Sequence, residues 1–260
     1  MRTRSIVCGL ALLAIAGWQA SALAAETAAA PIVAAAASTR FALDEAAAEV
    51  LKATGLQVRI SYGASGNFVR QIEQGAPFEL FLSADEAFVT RLVKAGVARD
   101  EGAVYATGRL AVFAAHGSPL EPDAELKNLK TLVARGGEWR LAIANPETAP
   151  YGRAAREALT KLGLWNAVQP RLVIGEDISQ AAQFATTGNA AGGIVAYSMV
   201  VVPEVAARGT SVLLAANLHE PLRQRMALLK NAGPTAQRFY EFLLSPGGQA
   251  IFVRHGFSAP

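Results

Sequence analysis

Segments with the two-residue hydrophobic period of strands take turns along the chain with segments that have the 3.6-residue period of helices. Stripes such as Leu43, Ala46 and Val50 predict amphipathic helices between the strands. This alternation predicts an α/β fold with mainly parallel sheets. The predicted strands are Ile32–Ala36, Gln57–Tyr62, Phe78–Leu82, Arg109–Ala115, Arg140–Ala144, Arg171–Ile174, Gly193–Tyr197 and Ser211–Ala215.

The first residues have the pattern of a secretory signal peptide. A basic start (MRTR) precedes a short apolar core (IVCGLALLAIAG) and a small-x-small cleavage pattern at Ala22–Ala24, which predicts a leader over residues 1–24. The core is too short to span a membrane, and no later segment reaches about 18 uninterrupted apolar residues. We therefore expect export to a bacterial periplasm without membrane insertion. The single cysteine, Cys8, lies in the leader, so the mature chain has no disulfide or thiolate.

Length and charge limit the remaining possibilities. The 260 residues, 52% of them hydrophobic, suffice for one large domain or two lobes. Of the 24 Lys and Arg residues, two lie in the leader, which leaves 22 against 21 acidic residues and gives no support to a nucleic-acid partner. Segments near Glu101–Ala106 and Leu218–Arg225 are predicted to cross between lobes. The predicted lobes are 31–107 with 222–260 (lobe 1) and 108–221 (lobe 2).

Hydroxyl or acidic residues follow several predicted strands, where helices begin. Ser38 and Ser65 follow the first two strands, Ser83 and Glu86 form a Ser-x-x-Glu capping box, and Asp177 begins a similar box. Each helix start presents unpaired N–H groups and about half a positive charge. In a parallel sheet such starts converge on one crevice. A single capping residue more often satisfies only its own helix, so these residues alone predict only a candidate anion crevice.

Signals for an enzyme are weak. The histidines His116, His219 and His255 lie in different segments without metal-like spacing, and no Gly-x-Ser-x-Gly elbow occurs. Tyr151 in NPETAPYG is either a packing tyrosine or a hydroxyl donor, and the residues alone favour packing. The turn Gly63-Ala64-Ser65-Gly66 is neither a Walker loop nor a dinucleotide-binding glycine motif.

Longer stretches carry a family resemblance. The run GASGNFVRQIEQGAPFELFLSADEAFVTRLVKAG (63–96) resembles the periplasmic molybdate-binding proteins of ABC importers, which read small-Ser-small, then Arg-Gln-Ile-Glu-x-Gly-Ala-Pro, then Ser-Ala-Asp. The similarity continues through LAIANPETAPYGRAAREALTKLGLW, GEDISQAAQFATTGNAAGGIVAYS, HEPLRQRMALLK and AQRFYEFLLSPGGQAIFVRHGF. It covers nearly all of the mature chain.

The resemblance implies a type II, Venus-flytrap periplasmic binding protein. Two lobes, each a mainly parallel sheet flanked by helices, are then joined by two crossovers and hold the ligand between them. One branch of the family supplies a tyrosine directly after Gly-Ile-Val, where this chain has Ala196. A second branch takes its tyrosine from Ala-Pro-Tyr-Gly, which Tyr151 matches, so the resemblance implies that Tyr151 rather than Tyr197 contributes. The oxyanion-binding positions that the resemblance implies are Ala37, Ser38, Ser65, Ala84, Tyr151 and Ile178.

The resemblance also implies a function. The protein is expected to capture molybdate or tungstate as the oxyanion, without a cofactor or a directly bound cation, and to act as a monomer that delivers the ligand to a membrane permease. A binding protein for sulfate or another small oxyanion is the alternative within the class. An enzyme on a similar bilobal fold is the alternative outside it.

Overall fold

The computed structural model describes residues 30–260. The predicted leader (1–24) and Cys8 lie outside the described residues. None of the helices described in this range is both long and apolar enough to cross a membrane.

The described residues form ten strands and eleven helices, with short 3₁₀ turns at Ala37–Thr39, Gln169–Arg171 and Ala216–Leu218. The strands are β1 (Ile32–Ala36), β2 (Arg59–Gly63), β3 (Leu80–Ser83), β4 (Ala103–Gly108), β5 (Leu110–Ala115), β6 (Leu141–Ala144), β7 (Leu172–Gly175), β8 (Gly192–Ala196), β9 (Gly209–Leu213) and β10 (Leu222–Leu228). The helices are α1 (Arg40–Thr54), α2 (Ser65–Glu73), α3 (Glu86–Lys94), α4 (Lys127–Arg135), α5 (Pro150–Lys161), α6 (Trp165–Val168), α7 (Ile178–Thr186), α8 (Tyr197–Val200), α9 (Pro203–Ala206), α10 (Pro234–Leu244) and α11 (Pro246–Arg254).

The strands build two five-stranded sheets with the same pattern. The first sheet has the order β2-β1-β3-β10-β4, and the second has the order β7-β6-β8-β5-β9. In each, the fourth strand in this order runs antiparallel to both of its neighbours, while the first three are parallel. Both sheets are therefore mixed but mainly parallel in direction, and the expected two-lobed α/β architecture is confirmed.

Local sequence explains why the chain turns into a helix after β2. Phe68, Val69 and Ile72 are buried on one face of α2, and α2 ends at Glu73, just before Gly75 at φ +88°. A non-glycine residue would be strained in that conformation. The apolar spacing of these three residues and the glycine two residues after Glu73 thus account for the bounds of α2.

Two strands differ from expectation. The segments predicted to cross between lobes overlap β4 and β10, which were not among the predicted strands and which pair with each other in the first sheet. The pattern of β10 is obscured because Gln224 is buried in it between the polar residues Arg223 and Arg225. The lobe bounds 31–107 with 222–260 and 108–221 stay a prediction.

The hydrophobic cores show how closely the two sheets approach. Two clusters of buried residues cover opposite faces of the first sheet. The cluster around the second sheet extends to Ala36, Ala37, Ala64 and Ala84, which follow or end the strands of the first sheet. The residues at the carboxyl ends of β1, β2 and β3 thus pack directly against the hydrophobic cluster that surrounds the second sheet.

Candidate functional site

A small cavity lies where β1, β2 and β3 end and where α5 and α7 begin. Its volume is about 190 Å³, including solvent at its mouth. None of the residues that line it carries a charge. The lining consists of Ala36, Ala37, Ser38, Gly63, Ala64, Ser65, Ala84, Ala149, Pro150, Tyr151 and Ile178. The structure therefore brings all six predicted site residues around one cavity, with Ser38, Ser65 and Ala84 on a first wall and Tyr151 and Ile178 on a second wall.

Ser38 lies in the short turn that follows β1. The hydroxyl of Thr39 donates to the carbonyl of Ala36 at 2.7 Å and fixes this turn. Ser38 is only 1% exposed, and its Oγ lies close enough to the Tyr151 hydroxyl to influence it but makes no hydrogen bond of ordinary geometry among the described residues. A buried hydroxyl without a partner costs free energy, so a hydroxyl of this kind at the cavity points to a ligand that accepts its hydrogen bond.

Ser65 is the first residue of α2, and its hydroxyl is held from behind. The amide of Ala84 donates to Ser65 Oγ at 3.1 Å. Because the oxygen already accepts this bond, its own proton is left to donate toward the cavity. Ala84, one of the predicted site positions, thus lies at the cavity with its N–H held by Ser65 Oγ, and its contact with a ligand stays a prediction.

The capping interpretation fails for the serines of the first wall. Neither the Ser38 turn nor α2 has a side-chain hydrogen bond at its N-cap, which leaves both hydroxyls for another role. The predicted box at Ser83 is also wrong, because Asp85 caps α3 by accepting from the amide of Ala87. Asp85 lies directly before the helix, so its carboxylate reaches the second amide of α3, whereas Ser83 lies two residues earlier and its Oγ accepts from the amide of Asp85.

Tyr151 forms most of the second wall. It follows Pro150 in the first turn of α5 and is 1% exposed. Its hydroxyl oxygen accepts from Gln224 Nε2 at 2.9 Å. Burial raises the pKa of Tyr151, and the neighbouring Ser38 hydroxyl and Gln224 amide lower it only in part, so the phenol keeps its proton at neutral pH. The residues alone favoured packing, but the side chain is both packed and placed at the cavity.

The second wall also contains the start of α7. Asp177 caps this helix, as expected, by accepting from the amides of Ser179 and Gln180 at 2.8 and 3.0 Å. The first amide of the helix, that of Ile178, lies at the cavity lining. The first amides of a helix have no acceptor within it, so Ile178 is suited to donate to a ligand.

Comparison with known proteins assigns the chain to a family. A family model of bacterial extracellular solute-binding proteins matches residues 32–258. The chain belongs to this family. It is 38% identical over 256 residues to the molybdate-binding protein ModA of Rhodobacter capsulatus, covering 97% of this chain and 93% of that protein. It is 35% identical over 228 residues to ModA of Azotobacter vinelandii, covering 86% of this chain and 88% of that protein.

A solved structure agrees with these sequence relatives. The periplasmic molybdate-binding protein of Azotobacter vinelandii superposes with a TM-score of 0.80 at 32% identity, covering 88% of this chain and 99% of that one. The expectation of a binding protein rather than an enzyme is confirmed by this membership among solute-binding proteins.

In this solute-binding protein the two lobes touch through contacts that the sequence did not predict. The amide of Gly66 donates to the carbonyl of Thr148 at 2.9 Å, and a Cβ on Gly66 would lie 2.9 Å from that oxygen. Ser198 Oγ donates to the carbonyl of Ser38 at 2.8 Å. Arg153 pairs with Asp85 at 2.5 Å. The structure is therefore the closed arrangement of the two lobes.

Tyr197 lies away from the cavity. The guanidinium of Arg109 stacks over its ring at 4.7 Å, and Tyr197 is not among the residues that line the cavity. Gln224 and Ser198 are the residues near the site that sequence reasoning missed. Gln224 is the only buried polar residue of β10, but it stands between Arg223 and Arg225, so no pattern in the sequence distinguishes it.

Proposed function

We propose that the protein is a periplasmic receptor for molybdate that closes its two lobes around the oxyanion and delivers it to the permease of an ABC importer. The observation that carries the proposal is the buried, unpartnered hydroxyl of Ser38 at a cavity whose lining has no charged side chain. Ser65, Tyr151 and the amide of Ile178 complete a set of donors. All six predicted positions, including Ala37 and Ala84, belong to the proposed site.

The chemistry of the donors matches the ligand. Molybdate at neutral pH is a tetrahedral dianion without a proton, so all of its oxygens accept hydrogen bonds. Hydrogenphosphate carries a proton that needs an acceptor, and the lining has no carboxylate to provide one. The positive ends of helices neutralise an anion without a cationic side chain. Tungstate has the same charge and shape, so we include it as a ligand.

The relatives support the remaining parts of the proposal. The proteins with which the chain shares 35–38% identity are molybdate-binding proteins. We extend to this chain a periplasmic location, a monomeric state, no cofactor, and delivery to a membrane permease.

A ligand panel tests the proposal. In calorimetry and thermal unfolding, molybdate and tungstate should bind and stabilise the purified mature protein, while sulfate and phosphate should bind much more weakly. A ligand present at a hundred times its dissociation constant stabilises by about 2.7 kcal/mol, which a melting curve resolves. If sulfate bound as tightly as molybdate, the assignment of molybdate as the ligand would be wrong. If no oxyanion bound, the whole proposal would be rejected.

A further inference from the structure

A buried chain of hydrogen bonds lies behind Tyr151. The hydroxyl of Tyr105 donates to Gln224 Oε1 at 2.8 Å, and Gln224 Nε2 donates to the hydroxyl oxygen of Tyr151 at 2.9 Å. Tyr105 and Gln224 are fully buried, and Tyr151 is nearly so. Gln224 belongs to the first sheet and Tyr151 to the second lobe, so the chain of bonds crosses between them.

The backbone is shaped to place Gln224 there. The pairing of β10 with β4 shifts register between Gln224 and Arg225. The extra residue at this irregularity lies on β4, where Tyr105 has no partner in β10, so the irregularity directs the side chain that donates to Gln224 Oε1. Gly108, at the end of β4, provides the space: a Cβ there would lie 2.2 Å from Tyr151 Oη and 2.6 Å from Gln224 Nε2. The register shift thus serves the bond between Tyr105 and Gln224, and the missing Cβ of Gly108 permits the bond between Gln224 and Tyr151.

The direction of the bonds determines what Tyr151 offers. With its oxygen occupied by Gln224 Nε2, Tyr151 donates its proton to the cavity. If the amide were reversed, Gln224 Oε1 would take that proton and a lone pair would face the cavity. Tyr105 would then turn its proton to the carbonyl of Ser83, at 3.2 Å rather than 2.8 Å. The 2.8 Å contact would persist in that case, with Gln224 Nε2 donating to Tyr105, so what distinguishes the first direction is that it alone leaves the proton of Tyr151 for an anion in the cavity.

We propose that Gln224 is a positioning residue that holds Tyr151 as a proton donor, so that the cleft selects oxyanions without a proton over protonated ones. This inference rests on the proposed function and names the source of its selectivity. Tyr105 orients the amide, and Gln224 transmits that orientation to the residue that touches the ligand. A structural role alone would require only that the two groups pack.

Two replacements of matched length test the direction of the bond. At pH 8, the ionised carboxylate of Gln224→Glu accepts from both phenols, which turns the proton of Tyr151 away from the cavity. Molybdate binding should weaken by about 100-fold, the loss expected for a hydrogen bond to a charged group. In Gln224→Met the phenol rotates freely, so the loss should be about tenfold or less.

The pH profile separates positioning from packing. A protonated carboxyl has one donor and one acceptor, as the amide does, so molybdate affinity of Gln224→Glu should recover as the pH falls from 8 to 6. The wild-type protein and Gln224→Met should stay flat over this range. Burial raises the pKa of a carboxyl, which brings its titration toward this window. Equal affinities of Gln224→Glu and Gln224→Met, or a flat profile of Gln224→Glu, would overturn the proposal.

A second variant keeps the proposal testable if Gln224→Glu does not fold. Tyr105→Phe removes the group that orients the amide, so the ratio of molybdate to phosphate affinity should fall by about fivefold to tenfold, the worth of one neutral hydrogen bond. An unchanged ratio would contradict the proposal. Titration of the wild-type protein with molybdate comes first: failure to bind there rejects the proposed function, whereas failure of the variant pattern rejects only the role of Gln224.

Discussion

The two walls of the cleft obtain their hydrogen-bond donors in different ways. On the first wall, Ser38 and Ser65 are short side chains at strand ends, and the group that holds Ser65 comes from the same sheet. On the second wall, Tyr151 is a long side chain whose partner, Gln224, comes from the opposite sheet. The first wall is thus complete within one lobe, whereas the second wall is complete only when the lobes meet. Substitutions on the two walls should therefore differ in how they change molybdate affinity and the stability of the ligand-free protein.

The largest loss of molybdate affinity is expected from Gly108→Ala, which disturbs Tyr151 on the second wall. The new Cβ would overlap Tyr151 Oη, so the bond to Gln224 and the closed arrangement cannot both persist. We expect molybdate binding, measured by calorimetry, to weaken by about two orders of magnitude or more. Gly247→Ala is the matched control, because its Cβ would have no atom nearer than 3.7 Å. Similar affinities for the two variants would contradict the closed geometry.

Ser65→Ala changes a residue of the first wall that both faces the cavity and accepts a hydrogen bond from the amide of Ala84. Removing the hydroxyl removes a donor to the ligand, and we expect the dissociation constant for molybdate to rise by about tenfold to a hundredfold. The amide of Ala84 also loses its acceptor, so chemical denaturation of the ligand-free protein should show a loss of about 1–3 kcal/mol. An unchanged dissociation constant would exclude Ser65 as a ligand.

Ser38→Ala sharpens the comparison within the same wall. Its hydroxyl has no partner in the described protein, so its removal should leave the free energy of unfolding of the ligand-free protein unchanged or slightly raised. Molybdate should nevertheless bind about tenfold more weakly, since a hydrogen bond to a charged ligand is lost. Calorimetry and denaturation on the same sample check both parts. A destabilised variant with normal affinity would show that Ser38 is structural.

The smallest effect is expected from Arg153→Gln, which removes an ion pair across the cleft. Arg153 is partly exposed and its partner Asp85 is mostly buried. Exposed pairs contribute little, so molybdate affinity should fall by about twofold to fivefold, and the difference should shrink at high salt. Arg156→Gln breaks a pair with Glu147 on the same lobe and serves as control. Equal losses in both variants would show that the pair does not favour closure.

The sequence predicted well what is local. Ser38 and Ser65 were found because each follows a strand whose hydrophobic pattern is clear, and parallel strands bring their ends together. Eight strands were placed within a few residues, and β1 was placed at its observed bounds, Ile32–Ala36. The family resemblance then placed Tyr151 and Ile178 at the same cavity, which no local pattern did.

What the sequence did not predict depends on distant parts of the chain. Gln224 lies 73 residues from Tyr151, and its polar neighbours hid the strand that carries it. The direction of the amide of Ala84 depends on how β2 and β3 are placed around β1, which is a matter of packing rather than of pattern. Propensity and spacing carry no information about such pairings.

The contacts across the cleft have a consequence for transport. The bonds Gly66–Thr148, Ser198–Ser38 and Gln224–Tyr151 each join protein to protein, so they favour closure whether or not the ligand takes part. A ligand shifts a conformational equilibrium only by its differential affinity for the two states. Stronger contacts of this kind would raise the apparent affinity for the ligand, since a larger fraction of the protein would already be in the closed form that binds it. Stronger contacts would also close more of the ligand-free protein, which a permease would then bind as readily as the ligand-bound form. The strength of these few bonds is therefore limited from both sides: weaker bonds lower the affinity for scarce ligand, and stronger bonds let ligand-free protein occupy the permease.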